Sequence, residues 1–121
     1  MNEELKILAN KIIKQIPTGE RNIESGEGVF TVDELKYTYE EAEVLTVEDD
    51  GKYQFGATIY GIGLLDEERG YGTKGDVLFH IKQDFNRSGS YYSDYYYDYE
   101  KPYLVEQVTK VITTTDWEAI E

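Results

Sequence analysis

The sequence predicts an α+β fold, in which an N-terminal amphipathic helix packs on a curved antiparallel sheet of about five or six strands. Two observations lead to this prediction. Apolar residues recur every three or four positions near the N-terminus, and from residue 28 onward they alternate with polar ones. The 121 residues have the size of a single domain, so we expect one domain over 1–121, with the helix at about 3–16 and the β-rich body at about 28–117.

The N-terminal helix is bounded by clear start and stop signals. Leucine and isoleucine recur at helical spacing between Glu3 and Ile16, and Asn2 is suited to cap the first turn. Pro17 has no N–H to donate, so it ends the helix. A loop with two glycines then leads to Gly28, and we expect it to face solvent.

Period-two patterns and turn residues predict the first strands. Val29–Val32 is a short strand, and the apolar residues from Leu35 to Val47 share one parity through a longer extended segment. Tyr39–Glu43 contains helix-forming residues, which leaves that stretch ambiguous. Asp49-Asp50-Gly51 predicts a hairpin turn into a strand that begins at Tyr53 and ends within Gly61–Leu65.

The same signals continue through the second half of the chain. A half-buried strand is predicted from Val77 to Phe85, followed by a turn at Asn86–Gly89. Pro102 separates the tyrosine-rich run from a last strand, which is predicted over Tyr103–Thr115 because that segment is rich in Val, Ile and Thr.

The charge balance limits the classes of partner. The chain has twenty-five acidic and twelve basic residues, which gives a formal net charge of -13. Such a field repels phosphates, so we expect no direct nucleic-acid binding and no membrane binding, and we expect a basic protein as partner. The alternative is that the charge serves solubility alone.

The sequence contains no catalytic or metal-binding signature. There is no cysteine, and His80 is the only histidine, so a zinc site is not expected. The loop Arg69–Gly75 lacks the spacing of a P-loop and runs into a strand. We therefore predict a protein that is not an enzyme and needs no cofactor, although a site built from carboxylates distant in the chain would depend on the fold. The N-terminus has no secretory features, and we expect a cytoplasmic protein.

The segment SGSYYSDYYYDYE, residues 88–100, carries half of the twelve tyrosines. On a strand, alternation separates an aromatic face from a face that mixes carboxylates and phenols. The aromatic face either packs on the helix or forms a partner-binding surface, for which tyrosine is a common choice. The predicted partner-binding residues are Tyr91, Tyr92, Asp94, Tyr95, Tyr96, Tyr97, Asp98, Tyr99 and Glu100, together with Glu40, Glu41 and Glu43.

The spacing of these carboxylates suggests mimicry of a nucleic acid. Residues two apart on one strand face lie about 6.6 to 6.8 Å apart, which is of the order of the distance between adjacent phosphates. Asp94, Asp98 and Glu100, with the acids of Glu40–Glu48, are therefore predicted to imitate a strand of negative charge.

The C-terminal third resembles small phage-encoded proteins. The resemblance is carried by FNRSGSYYSDYYYDY (85–99), by VEQVTKVIT (105–113) and by Trp117-Glu118. It implies an origin in a phage or mobile element, where small acidic proteins inhibit host factors such as CRISPR effectors, restriction enzymes or polymerases. It supplies no functional residues.

Together these inferences predict an acidic, non-enzymatic inhibitor that blocks a basic nucleic-acid-binding surface of a host protein, in the host cytoplasm. Two other classes remain open. One is a ligand-binding module that stacks a sugar or a planar ligand on Tyr91–Tyr99, and the other is an immunity protein that neutralises a basic toxin.

Overall fold

The N-terminal helix α1 spans Glu3–Ile13 in the computed structural model, which describes residues 1–49, 53–89, 96–109 and 115–120. The Asn2 side chain caps it by accepting from the Leu5 N–H at 2.8 Å. The helix ends three residues before the predicted end, because the next residues form tighter i to i+3 hydrogen bonds. Ile16 is nevertheless buried, as its apolar spacing predicts.

Within the described residues seven strands follow the helix, which is more than the predicted five or six. In chain order they are β1 (Val29–Val32), β2 (Leu35–Asp49), β3 (Tyr53–Leu64), β4 (Phe79–Ser88), β5 (Tyr96–Tyr99), β6 (Tyr103–Thr109) and β7 (Thr115–Ala119). All are antiparallel in one curved, open sheet of order β1-β2-β3-β4-β6-β7. β5 and β6 pair end to end with the same edge of β4. The α+β class is thus confirmed, as a mostly β protein with one helix.

Several predicted strand boundaries are wrong for reasons of pairing. The last strand, predicted over Tyr103–Thr115, is shorter: β6 ends at Thr109, and a further strand, β7, begins at Thr115 and pairs with it, with Gln107 opposite Trp117. Asn86 and Arg87, predicted as a turn, continue β4 because β3 pairs with them on one edge and β5 on the other. The predicted end of β3 within Gly61–Leu65 is confirmed, since the strand ends at Leu64.

A bulge in β2 breaks the single parity predicted for that strand. The register shifts between Glu41 and Glu43, so β2 remains a strand through the ambiguous stretch but changes face. Tyr37, before the bulge, lies on the face that carries α1, whereas Leu45 pairs with Ala57 on the opposite face.

The main core lies between α1 and one face of the sheet, which we call the helix face. Its buried residues are Ala9, Ile12, Ile13, Ile16, Ile23, Phe30, Val32, Tyr37, Tyr60, Ile62, Phe79 and Ile81. The opposite face has its own buried residues, with Ile59 and Val105 at 0% and 1% exposure. No helix in the described part of the chain combines the length and apolar character needed to cross a membrane.

A buried glutamine fixes the segments that flank β5. Gln83 shares the helix face with Phe79 and Ile81 and is 1% exposed. Its Nε2 donates to the carbonyls of Pro17 and Glu100, each at 3.0 Å, and its Oε1 accepts from the Ile23 N–H at 3.4 Å. Gln83 therefore ties the chain after α1 to the chain after β5.

Candidate partner-binding surface

Strand β5 places the described half of the tyrosine-rich segment on two faces, as its alternation predicts. Tyr97 and Tyr99 pair with Arg87 and Phe85, on the helix face. Tyr96 and Asp98 pair with Ser88 and Asn86, on the opposite face. The remaining predicted residues of this segment, Tyr91, Tyr92, Asp94 and Tyr95, lie outside the described residues.

Phe85, Tyr97 and Tyr99 form an aromatic cluster on the helix face. The rings of Tyr97 and Tyr99 are stacked, with centroids 5.8 Å apart and planes inclined by 9°. Phe85 contacts both at 5.8–6.0 Å between ring centroids. It packs closely on Gly56, where a Cβ would lie 2.8 Å from its ring. Tyr97, the outermost ring, is 40% exposed.

The segment that follows α1 contacts this cluster through the backbone of Tyr99. Gly19 and Tyr99 exchange both backbone hydrogen bonds, at 2.8 and 2.9 Å. Glu100 follows β5, is exposed, and donates its N–H to the Asp84 carbonyl at 2.9 Å. The backbone of β5 is thus held on both sides at Tyr99, which fixes the aromatic cluster in place.

One carboxylate, that of Glu24, acts on three tyrosines of the helix face. Burial raises the pKa of Tyr99, and the neighbouring Tyr97 and Glu24 raise it further. Burial and Glu24 also raise the pKa of Tyr39 and Tyr60. Glu24 therefore lies close enough to these rings to oppose their ionisation, and the rings stay neutral hydrogen-bonding phenols at physiological pH.

The predicted acids of β2 are divided between the two faces. Glu40 and Glu43 lie on the face opposite α1, whereas Glu41 lies on the helix face, opposite Tyr60. Glu40 accepts from the Thr73 hydroxyl at 3.2 Å, and Glu43 accepts from the Trp117 indole N–H at 2.5 Å. The fold does not bring them beside Asp98, since β3 and β4 separate β2 from β5. The carboxylates of Glu40 and Glu43 are therefore not neighbours of Asp98, and the three do not form one continuous row of charge on the sheet.

His80 packs on the single tryptophan, on the face opposite α1. The centroids of the His80 and Trp117 rings are 4.7 Å apart. Burial lowers the pKa of His80, and the nearby Glu40 opposes that shift. Among the described residues no group of three or more His, Cys, Asp or Glu side chains is arranged to hold a metal ion.

The glycine-bearing loop between β3 and β4 contains several internal polar contacts. Asp66 accepts from the Arg69 N–H and the Arg69 Nε at 3.2 and 3.0 Å. These contacts, first of all the backbone N–H of Arg69, lower the pKa of Asp66. The Arg69 guanidinium also lies over the Tyr71 ring, 5.2 Å from its centroid. These contacts order the loop that connects β3 to β4, and the Thr73 hydroxyl ties it to Glu40 of β2.

A groove of about 400 Å³ lies between α1 and β6. It is lined by Lys6, Asn10, Ile13, Lys101, Pro102, Tyr103, Leu104 and Ile120. Of the described tyrosines in the predicted stacking segment, Tyr96, Tyr97 and Tyr99 are not among its lining residues.

The hairpin of β6 and β7 carries an acidic surface that sequence reasoning missed. Glu106 and Glu118 are directly opposite each other in the register, and both are exposed. Asp116, two residues before Glu118, lies on the same face, which is the helix face of the sheet. We call Glu106, Asp116 and Glu118 the acidic hairpin. The run of threonines before Asp116 indicates at most a break in the strand, and the opposition of Glu106 and Glu118 has no local signal in the sequence.

Fold and surface together define a class: an acidic α+β protein with one helix on a curled antiparallel sheet, and with clustered tyrosines and opposed carboxylates at its surface. The chain belongs to the Phage T4 Y04K protein family, whose model matches residues 2–120. This membership supports the phage origin that the C-terminal resemblance implies. Comparison with curated proteins and with solved structures found no match.

Proposed function

We propose that this protein is a non-enzymatic interaction protein of a phage, which binds and blocks the basic, nucleic-acid-binding surface of a host protein. The host protein would be a defence factor such as a CRISPR effector or a restriction enzyme. The proposal is supported by the net charge of -13, by membership of the phage family, and by two surface features, the acidic hairpin and the aromatic cluster.

The observation that carries the proposal is the pair of Glu106 and Glu118. Carboxylates directly opposite each other on neighbouring strands repel, with Cβ atoms about 4.5 to 5.5 Å apart, and this destabilises the hairpin. Neither carboxylate takes part in an ion pair within the described residues. A cost in stability at an exposed position supports a role for this charge in binding.

The spacing of the acidic hairpin suits a surface that binds phosphates. Asp116 and Glu118 lie two residues apart on one strand face, which corresponds to about 6.6 to 6.8 Å along the strand. The predicted phosphate-like spacing thus recurs here, on strands where the structure brings a third carboxylate, Glu106, alongside.

The aromatic cluster would supply affinity that charge alone does not give. Tyr97 and Glu106 are nine residues apart along the extended chain of β5 and β6, which corresponds to at most about 32 Å. Both face the helix side of the sheet. A partner groove that is basic and about this long would contact carboxylates at one end and tyrosine rings at the other.

Affinity capture from a lysate of the phage's host tests the proposal. We expect the immobilised protein to retain a basic nucleic-acid-binding protein at low salt and to release it at high salt. The triple variant Glu106→Gln, Asp116→Asn, Glu118→Gln should retain much less of that protein. A matched control changes the same amount of charge elsewhere, with Glu27→Gln, Glu34→Gln and Glu68→Gln, and should retain it nearly as the wild type does.

Mass spectrometry of the retained proteins gives the result that decides the proposal. Capture of a basic nucleic-acid-binding protein that depends on the acidic hairpin supports it. Equal loss of that protein in both triple variants would show that net charge alone drives the capture, and retention by both would exclude the hairpin.

A further inference from the structure

The groove between α1 and β6 lies between the two surface features of the proposed interface. Its lining includes residues 101–104, which connect the aromatic cluster of β5 to the start of the acidic hairpin on β6. A partner segment that contacts both features along the helix face therefore passes over this groove. The chemistry of the groove then decides which residue the partner carries at that point.

The floor of the groove is apolar. Ile13 of α1 and Pro102 are buried, and Leu104 and Ile120 are half-buried beside them. Ile120 donates its N–H to the Leu104 carbonyl at 3.1 Å, which continues the pairing of β7 with β6 and places the two side chains side by side. Covering the apolar surface that these side chains leave in water is favourable. The volume of about 400 Å³ lies within the range of about 300–1,000 Å³ that is usual for ligand sites.

The rim of the groove is positively charged, although the net charge of the chain is -13. The charged side chains among the lining residues are those of Lys6 and Lys101, and none is a carboxylate. Lys101 is exposed and forms no ion pair within the described residues. The ammonium groups repel a lysine or arginine of the partner, whereas the aliphatic stems extend the apolar walls. The groove therefore disfavours the basic side chains that the acidic hairpin attracts.

Negative charge begins two residues beyond the floor, on the same face of the sheet. Glu106 follows Leu104 on β6, and Glu118 precedes Ile120 on the paired chain of β7. Side chains two residues apart on a strand face are separated by about 6.6 to 6.8 Å. An extended partner segment spaces its own alternate side chains by the same distance. One of its side chains can therefore lie over the groove while the next on that face lies over the opposed carboxylates.

We propose that the groove binds an apolar side chain of the partner, in an extended segment that carries a lysine or arginine two positions away. The apolar side chain packs on Leu104 and Ile120, and the basic one pairs with Glu106 and Glu118. This inference rests on the proposed function and narrows it, since positive charge alone does not supply the apolar residue. The order of apolar and basic residues then gives specificity among basic proteins, because the wrong order places a basic side chain between two lysines.

Three synthetic peptides, acetylated and amidated at their ends, test this order: Leu-Ser-Lys-Ser-Lys, Ala-Ser-Lys-Ser-Lys and Lys-Ser-Leu-Ser-Lys. The first and the third have the same composition and charge. NMR titration of the isotope-labelled protein at low salt measures weak affinities and shows which amides shift. We expect the first peptide to bind about fivefold to twentyfold more tightly than either of the others, and to shift the amides of Leu104 and Ile120.

Variants at the groove and away from it make the test specific. Ile120→Asn should abolish the preference for the first peptide. Ile7→Asn makes the same change at an exposed isoleucine of α1 that does not line the groove, and it should keep the preference. Lys101→Glu should bind Lys-Ser-Leu-Ser-Lys more tightly than the wild type does, because a carboxylate at the rim attracts lysine. The NMR spectrum of each variant shows whether it is folded.

The results separate this inference from the proposed function. A preference for the first peptide that depends on Ile120 and not on Ile7 supports the apolar site. Equal, salt-sensitive binding of all three peptides would overturn the apolar site and leave the proposed function standing, since that function requires only the charge. Absence of binding of every peptide would also overturn the site, whereas hairpin-dependent capture of the host protein tests the proposed function independently.

Discussion

Trp117 of β7 donates its indole N–H to the carboxylate of Glu43 on β2 at 2.5 Å. Four strand-to-strand spacings separate β2 from β7 in the sheet, and in a flat sheet these two strands would lie about 19 Å apart. The contact therefore exists because the sheet curls toward the face opposite α1. The indole ring also covers His80 on this face.

Removing this contact should loosen the curl of the sheet. We expect Glu43→Ala to lower the free energy of unfolding by about 1 kcal/mol, since a hydrogen bond to a charged acceptor is lost. Trp117 is the only tryptophan, so its fluorescence reports the contact directly, and its emission should shift to longer wavelength in the variant. Glu43→Gln keeps an acceptor oxygen and should show a smaller shift. An unchanged spectrum in Glu43→Ala would contradict the contact.

The stability of the protein should depend on His80 at mildly acidic pH. Burial lowers the pKa of His80 below the ordinary histidine value of 6.5, so the unfolded chain binds the proton more readily than the folded one. The contribution of His80 is therefore complete above about pH 6.5 and decreases as the pH falls below that value. Urea denaturation of the wild type and of His80→Gln between pH 7.5 and 5 checks this. The variant should lose less stability over that interval, and equal losses would exclude His80 as the cause.

Gln83 should be among the least replaceable polar residues of the chain. Gln83→Leu leaves two carbonyls and one N–H in the interior without their partner, and we expect a loss of about 2–4 kcal/mol in the free energy of unfolding. Gln107, an exposed glutamine on β6, provides the control, and Gln107→Leu should change the stability by no more than about 0.5 kcal/mol. Similar effects of the two substitutions in urea denaturation would contradict the role of Gln83.

A glycine on β3 should be required for the aromatic cluster. A Cβ at Gly56 would lie 2.6 Å from the Leu45 carbonyl oxygen and 2.8 Å from the Phe85 ring, so Gly56→Ala should cost about 1–3 kcal/mol. At Gly26 a Cβ would meet nothing within 4 Å, and Gly26→Ala is the matched control. Thermal denaturation compares them, and equal melting temperatures would be inconsistent with the close packing of Phe85.

The acidic hairpin should show opposite effects on stability and binding. Glu118→Lys replaces the repulsion with Glu106 by attraction, and we expect a gain of about 0.2–1 kcal/mol in the free energy of unfolding at low salt. The gain should decrease in 1 M NaCl, because salt screens exposed charges. The same variant should bind its basic partner more weakly. A variant that gains stability and keeps full binding would separate the hairpin from the proposed function.

Local patterns predicted the parts of the fold that depend on a single segment. The helix, its Asn2 cap, the alternation of β4 and the break at Pro102 all follow from residues close in sequence. The bulge beside Ala42 was not predicted. Helix-forming residues occupy it, and the extra residue of a bulge can be recognised only against the register of a partner strand. The division of the last strand into β6 and β7 likewise depends on pairing between them.

The candidate site was predicted in part, for the same reason. The alternation of Tyr96–Tyr99 follows from strand geometry and is confirmed, whereas their role in binding stays a prediction. The opposition of Glu106 and Glu118 depends on the register of two strands and has no local signal. The burial of Gln83 did have a local signal. Gln83 shares the parity of Ile81 and Phe85 on β4, so its polar side chain is directed toward the core.

The central claim is that the protein and a nucleic acid compete for one surface of the partner. Fluorescence anisotropy of a labelled nucleic acid bound to the captured host protein measures this competition directly. The account predicts that anisotropy falls to the value of the free nucleic acid as the phage protein is added, and that the variant Glu106→Gln, Asp116→Asn, Glu118→Gln requires a higher concentration. A rise in anisotropy, which would indicate a ternary complex of host protein, nucleic acid and phage protein, would contradict it.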